Sequence, residues 1–140
     1  RMDRSIPDAF SLCAKYFWYR MPKGKDMELN VETIGDISVV TLLGNHLDAS
    51  NHEDFMRDIT PVLEKTPSMV LDIGELQSLD SSGLGAFAYC MRMARDAGGE
   101  LKICKASERV MVTFDLVHIH RIIGIFDTRE KAVASYQNNQ

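Results

Sequence analysis

Short apolar runs alternate with amphipathic helical patterns from Met27 onward, and this alternation is the strongest constraint on what the chain can fold into. Leu29 and Val31 alternate with polar residues before a turn signal at Gly35, and a second apolar run follows, so the first two strands are predicted to form a hairpin. Helices and strands then alternate. This order predicts an α/β domain with a largely parallel sheet and helices packed against it.

The second predicted strand carries apolar residues on both of its faces. Residues 37–43 place Ile37, Val39 and Leu43 on one side, and Val40 and Leu42 on the other. A strand of this kind is typical of a sheet that is covered on both sides. Further strands are predicted at residues 69–73, 100–104 and 122–126.

Polar residues with capping spacing mark the predicted helix starts. They are Ser50 with Glu53, Ser107 alone, and Asp127 with Glu130. Pro61 removes one internal hydrogen bond from the first of these helices, so a kink or a split is expected there. The best-defined helix ends at Gly98 and Gly99.

That helix begins in residues 79–85, which read Leu-Asp-Ser-Ser-Gly-Leu-Gly and follow an apolar strand-like run. Asp80, Ser81 or Ser82 can cap the free N–H groups at the helix start, and the positive end of the helix dipole favours an anion there. Both glycines of the motif are poor helix formers, so another requirement, such as close approach of another backbone, is expected to select them.

Ser81 is the predicted phosphate acceptor of this motif. A phosphate on it would add a charge of about −1.5 to −2 at neutral pH beside Asp80. Asp48 would lie near the same charge if the two loops meet at one end of the sheet. Such a change is expected to abolish docking of a partner without refolding the domain.

Composition and motifs argue against several other classes of function. The net charge of −4 and the lack of a basic cluster argue against nucleic-acid binding. The chain has no G-x-S-x-G elbow and no phosphate-binding glycine loop, so no catalytic residue, and no hydrolase, kinase or NTPase activity, is predicted. His118 and His120 lack a third ligand nearby, so no metal site is predicted either.

The cysteines indicate the redox environment in which the protein is expected to be found. Cys13, Cys90 and Cys104 form no C-x-x-C pair, and they are interpreted as buried thiols in a reducing environment. No long apolar span is found, so a cytoplasmic protein without membrane attachment is expected.

Residues 1–26 differ in composition from the predicted domain, residues 27–140. Their aromatic residues are Phe10, Tyr16, Phe17, Trp18 and Tyr19. The segment is interpreted either as an expression remnant or disordered extension, or as a short docking helix that supports a homodimer.

Five features of the chain resemble the STAS domains of bacterial anti-sigma factor antagonists, over about residues 27 to 136. They are Gly44 and Asp48 after the hairpin, Val70-Leu71-Asp72, the motif from Asp80 to Gly85, the turn Gly98-Gly99-Glu100, and Phe114-Asp115 followed by Ile122, Ile123 and Phe126. The resemblance implies a four- to five-stranded mixed sheet that starts with a hairpin and is flanked by about four helices.

The resemblance also implies a function. In the family, the first motif serine, Ser81 here, is phosphorylated by an anti-sigma factor that is itself a serine kinase and holds the ATP, so the chain needs no cofactor. The unphosphorylated form binds that kinase and frees the sigma factor, and a phosphoserine phosphatase resets the switch. The resemblance assigns acidic positions beside the acceptor to Asp48 and Asp80, and the docking surface to Ser82, Gly83 and Leu84. A STAS scaffold subunit of a stress-signalling or lipid-transport complex is the alternative.

Overall fold

The computed structural model describes residues 27–137. Its strands are β1 (Glu28–Ile34), β2 (Ile37–Leu43), β3 (His46–Leu47), β4 (Ser68–Asp72), β5 (Ser78–Leu79), β6 (Leu101–Cys104) and β7 (Gly124–Phe126). Its helices are α1 (His52–Lys65), α2 (Ser81–Asp96), α3 (Glu108–Val117) and α4 (Arg129–Gln137), and a 3-10 turn covers Ile119–Arg121. The predicted N-terminal extension lies outside the described residues, so the domain boundary stays a prediction.

Five strands form the main sheet in the order β1-β2-β4-β6-β7. The first two are antiparallel and joined by a turn in which Gly35 has a φ of +61°, whereas every other pair is parallel. Parallel neighbours require crossover connections, and the helices supply them. The predicted mixed, largely parallel sheet with an N-terminal hairpin and four helices is confirmed.

Three helices cover one face of the sheet and are joined by a row of aromatic rings. Phe55 of α1, Phe87 of α2 and Phe114 of α3 are all fully buried. The centroids of the first two rings lie 6.0 Å apart and those of the last two lie 6.3 Å apart, each pair edge to face. This geometry is favourable for aromatic pairs beyond the area they bury, and it fixes α2 between its two neighbours.

The opposite face is covered by α4. Ala132 and Val133 of this helix pack with Val39, Val70 and Cys104 of the central strands. The strand β2 is therefore buried on both faces, as its pattern predicts, although Leu43 lies at its exposed end. The hydroxyl of Tyr136 anchors the helix: it accepts the N–H of Met69 at 3.2 Å, and its one hydrogen faces the carbonyls of Met69 and Glu100.

The predicted capping box at the start of α1 is wrong. The helix begins at His52, and the Ser50 hydroxyl donates to the Asp48 carboxylate at 2.6 Å instead of capping the helix. The Ser50 N–H donates to the same carboxylate oxygen, so this charge-assisted pair of bonds holds the side chain in the loop before the helix. Pro61 does not split the helix, because α1 continues through it to Lys65.

Two predictions about the last third of the chain also require correction. The cap of α4 is Thr128 rather than Asp127, since the Thr128 hydroxyl accepts the N–H of Lys131 at 3.1 Å. The strand predicted from Ile122 starts at Gly124, because His118 ends α3 in the left-handed conformation and the 3-10 turn follows. The spacing of His118 and His120 would put both rings on one face of a strand, but they lie at the helix end and in the 3-10 turn instead. No group of three metal-ligating side chains occurs within residues 27–137.

Cys90 and Cys104 are both buried, as predicted, and burial raises the pKa of each thiol to about 12. A Cys13→Ser chain, which keeps only these two thiols, is expected to react with a disulfide reagent at about pH 8 roughly a thousandfold more slowly when folded than in urea, because the thiolate is the reactive form. Absorbance of the released thiol follows the reaction. Fast labelling of the folded variant would contradict the burial of these residues.

Candidate functional site

Two short strands beyond the carboxyl end of the main sheet bring the predicted site residues together. The strand β3 follows β2, β5 follows β4, and the two pair in parallel with Leu47 beside Leu79. The carbonyl of Asn45 reinforces this pair by accepting the N–H groups of Gln77 and Ser78, at 2.8 and 3.1 Å. The loop that carries Asp48 and the start of α2 are therefore neighbours, which is the condition on which their predicted proximity depended.

Asp80 is the residue that caps α2. Its carboxylate accepts the N–H of Gly83 at 3.1 Å, and its carbonyl accepts the N–H of Leu84 at 3.0 Å. Its own N–H donates to the carbonyl of Leu47 at 3.4 Å. One residue thus closes the first turn of the helix and ties that turn to β3, so the helix start is held in a fixed place.

Gly83 lies against the backbone of β3. A Cβ atom on this residue would lie 2.5 Å from the carbonyl oxygen of Leu47 and 2.5 Å from Cδ1 of Leu79. The close approach predicted for the motif glycines is therefore real for Gly83, and the approaching backbone belongs to the same chain. Gly85 is different, because it is exposed and a Cβ there would meet nothing within 4 Å.

The remaining motif residues differ in their accessibility. Ser81 is exposed at the first position of α2, and Asp80 is exposed beside it. Ser82 and Leu84 are half-buried, and Leu84 packs against the main core. Gly83 is buried, so it lies beneath this surface, and Ser82 and Leu84 on either side of it are partly exposed.

The carboxylate of Asp48 is held in its charged form. The hydroxyl and the N–H of Ser50 both donate to the same carboxylate oxygen, at 2.6 and 2.9 Å. These bonds, the side-chain bond above all, hold the pKa of Asp48 below its ordinary value, with smaller contributions from His46 and His52. Two carboxylates, those of Asp48 and Asp80, therefore belong to the loops that meet beside Ser81.

Asn51 fixes the loop that carries Asp48, and sequence reasoning missed it. Its side-chain oxygen accepts the N–H of Asp48 at 2.9 Å, and its amide group donates to the carbonyl of His46 at 3.0 Å. The side chain is buried, so both bonds are shielded from water. The only available signal was an asparagine next to a helix start, which by itself predicts a cap.

The histidines of this region are engaged away from Ser81. His46 contacts the side chain of Asn45 at 3.2 Å, and His52 contacts the carbonyl of Asp48 at 3.3 Å. A serine nucleophile requires a base in hydrogen-bond contact with its hydroxyl. The site therefore presents an exposed hydroxyl, that of Ser81, where the loops that carry Asp48 and Asp80 meet.

Comparison with known proteins yields one matching family. The family model described as STAS domain matches residues 28–132. Among curated proteins, the anti-sigma-B factor antagonist of Bacillus subtilis (strain 168) is 25% identical over 108 residues, which cover 76% of this chain and 99% of that protein.

Solved structures give the same fold. An anti-sigma factor antagonist from Mycobacterium paratuberculosis matches with a TM-score of 0.71 at 18% identity, covering 81% of this chain and 96% of that one. Unphosphorylated SpoIIAA matches with a TM-score of 0.66 at 20% identity, covering 79% and 96%. The phosphorylated form of SpoIIAA from Bacillus matches with a TM-score of 0.60 at 20% identity, covering 77% and 98%.

The curated relative is named as an antagonist of an anti-sigma factor and not as an enzyme, in agreement with the prediction that this STAS domain is not an enzyme. In residues 27–137, no helix is both long enough and apolar enough to span a bilayer.

Proposed function

The chain belongs to the STAS domain family, and from this premise we propose that it is a phosphorylation-controlled partner switch. In the unphosphorylated form it binds an anti-sigma factor that is also a serine kinase, and the sigma factor is released. The kinase, which holds the ATP, phosphorylates Ser81, and the modified chain no longer binds. A phosphoserine phosphatase restores the first form, and the cycle takes place in the cytoplasm.

The observation that carries the proposal is the position of Ser81, exposed at the first residue of α2. The first N–H groups of a helix point out of its end, and the dipole there stabilises negative charge, so a phosphate on this serine lies on favourable ground. The carboxylate of Asp80 caps Gly83, so the cap of the helix does not use the Ser81 hydroxyl. The acceptor can therefore be modified while the fold stays in place.

The chemistry of the proposed step is a phosphoryl transfer. The Ser81 oxygen attacks the γ-phosphorus of ATP, a new oxygen–phosphorus bond forms, and the bond from that phosphorus to the bridging oxygen breaks as ADP leaves. The proton of the serine hydroxyl passes to a base supplied by the kinase, because His46 and His52 are engaged elsewhere.

The proposed switch acts through charge at the docking surface. The phosphate adds a charge of about −1.5 to −2 to a surface that already carries Asp80 and the ionised Asp48. A partner that fits the two carboxylates meets roughly twice their negative charge after modification. It also meets the phosphate group itself on Ser81, the residue that it covers. Ser82 and Leu84 complete the proposed contact surface, and Gly83 positions it from beneath.

The names of two similar proteins support the proposed function. The similar Bacillus subtilis protein is an antagonist of an anti-sigma-B factor, and SpoIIAA has been solved in both unphosphorylated and phosphorylated forms.

The acceptor residue is tested by incubating the chain with the anti-sigma kinase of its own organism and labelled ATP. The wild-type chain and a Ser82→Ala variant are expected to take up one phosphate each, and a Ser81→Ala variant none, because Ser81 is exposed at the first helical position and Ser82 is half-buried. Mass spectrometry of proteolytic peptides locates the phosphate. Label on Ser82, or in the Ser81→Ala chain, would overturn the assignment.

A further inference from the structure

The two faces of the main sheet differ in what holds their helices in place. The face that carries α1, α2 and α3 is packed with large apolar side chains, among them the row of phenylalanine rings. On the other face, the buried side chains of α4 are those of Ala132 and Val133. Two small side chains bury little apolar area, so other contacts must contribute to holding α4 on the sheet.

Both buried charged side chains of residues 27–137 lie under α4. Asp72 and Lys102 are each 4% exposed. The Asp72 carboxylate, at the end of β4, accepts a hydrogen bond at 3.3 Å from Arg129, the first residue of α4. Lys102 of β6 donates to the Ser135 hydroxyl, near the other end of the helix, at 2.7 Å. A buried charge of the sheet therefore binds α4 at each of its ends.

Further polar contacts hold the same two ends of α4. The guanidinium of Arg129 also donates to side chains of β1 and β2, at 3.1 and 3.2 Å. The Tyr136 hydroxyl lies against the backbone of Met69 and Glu100, and Nζ of Lys102 lies 4.1 Å from the centre of the tyrosine ring. The attachment of α4 therefore depends heavily on a few polar groups.

Polar contacts of this kind cost less free energy to open than an apolar core does. A buried charge gives up its hydration when the domain folds, and it recovers that hydration when its cover is removed. Opening of α4 would return Asp72 and Lys102 to water, which offsets part of the loss of their hydrogen bonds. Separation of α1, α2 or α3 from the sheet would instead expose large apolar side chains without this compensation.

The order of the elements also allows α4 to separate by itself. Helices α1, α2 and α3 each lie between two strands of the main sheet in chain order, whereas no described strand follows α4. Elements with few buried apolar contacts open locally, at a smaller cost in free energy than unfolding of the whole domain.

We propose that α4 is a lid on its face of the sheet, and that it opens as a unit while the rest of the domain stays folded. The open form displays Val39, Val70 and Cys104, which the closed form buries, beside the two charges of the sheet. The lid lies on the face opposite α2, so the proposal does not rest on phosphorylation of Ser81.

The two buried cysteines report on the two faces separately. Cys104 lies under α4, whereas Cys90 belongs to α2 and lies in the main core. If α4 opens alone, the Cys104 thiol becomes accessible, but access to Cys90 requires unfolding of the domain. A Cys13→Ser chain keeps only these two thiols. Alkylation by iodoacetamide at low concentration, followed by mass spectrometry of proteolytic peptides, measures the two rates separately.

In the folded Cys13→Ser chain, Cys104 is expected to react about a hundredfold faster than Cys90, once each rate is divided by the rate of the same thiol in the unfolded chain. Below the unfolding transition, the Cys104 rate should depend weakly on urea concentration, because local opening exposes little surface. The Cys90 rate should rise steeply. Equal protection of the two thiols would overturn the proposal, because it would show that the domain opens only as a whole.

A Tyr136→Phe variant tests whether α4 is the element that opens. It removes the hydroxyl that binds the end of the lid to the sheet and is expected to speed labelling of Cys104 about tenfold. An unchanged Cys104 rate in this variant would overturn the assignment of the lid to α4.

Ile59→Val is the matched control, because it removes one buried methyl group from α1 in the main core. It should speed labelling of Cys90 about fivefold and leave the Cys104 rate unchanged, since the lid opens without disturbing α1. Circular dichroism checks that both variants stay folded. An equal acceleration of both thiols by Ile59→Val would also overturn the proposal.

Discussion

A chain with Gly83→Ala is expected to lose about 3 kcal/mol of unfolding free energy, at the upper end of what an inserted methyl group costs in a packed site. The added Cβ would lie 2.5 Å from the carbonyl oxygen of Leu47, closer than such contacts occur in real structures. The obstructing atom is backbone, and the same carbonyl accepts the N–H of Asp80, so relief requires moving β3 or breaking this bond. The free energy of unfolding of a domain is about 5–15 kcal/mol in total, so this loss is a large part of it.

Gly85→Ala is the matched control, two residues further along the same helix. A Cβ at this position meets nothing within 4 Å, and an alanine inside a helix is more favourable than a glycine by about 0.5–1 kcal/mol. The urea concentration at the midpoint of unfolding, followed by circular dichroism, should therefore fall for Gly83→Ala and rise for Gly85→Ala. Similar stabilities of the two variants would show that β3 does not lie against Gly83.

Ser81→Asp is expected to weaken binding of the anti-sigma kinase by about a hundredfold or more, because a fixed charge is added to a surface that already holds two carboxylates. Ser81→Ala should retain binding to within about threefold, since the small side chain leaves the docking surface intact. Titration calorimetry with the purified kinase measures both constants. The contrast between the two variants is the direct measure of the proposed charge switch.

Thr33→Asp controls for the added charge itself, because Thr33 is exposed near the hairpin turn at the opposite end of the sheet. It should bind the kinase as the wild-type chain does. Equal affinities of Ser81→Asp and Ser81→Ala would end the switch proposal and favour a constitutive scaffold subunit, of a stress-signalling or lipid-transport complex.

The order of the main elements could be predicted from sequence because each carries its own periodic pattern. The two-residue strands β3 and β5 could not, since two residues are too few to show a period. The choice of the capping residue among neighbouring polar residues also cannot be predicted from spacing alone. Ser50 has the spacing of a cap, but its hydroxyl and N–H both donate to Asp48, which holds it in the preceding loop, and Thr128 replaces Asp127 at the start of α4.

The residues of the motif could be predicted from sequence, but the contacts that join the motif to the Asp48 loop could not. The motif predicts a cap from Asp80, Ser81 or Ser82 and a close backbone approach at its glycines. The structure assigns the cap to Asp80 and the close approach to Gly83 but not to Gly85. The meeting of Asp48 with the motif depends on pairing between segments about thirty residues apart, which no local pattern encodes. Asn51 was also missed, because its hydrogen bonds to Asp48 and His46 form only when the loop between them has its folded shape.

The pairing of β3 with β5 has a consequence for how the proposed acceptor is recognised. The surface around Ser81 is built from two stretches of chain, and backbone hydrogen bonds between them hold both in place. A synthetic peptide that copies residues 77–87 would have the acceptor sequence but not the Leu47 carbonyl that positions it, and a helix of that length is unstable in water. An enzyme that reads this surface would therefore distinguish the folded protein from its unfolded or degraded forms, even though all of them contain the same serine.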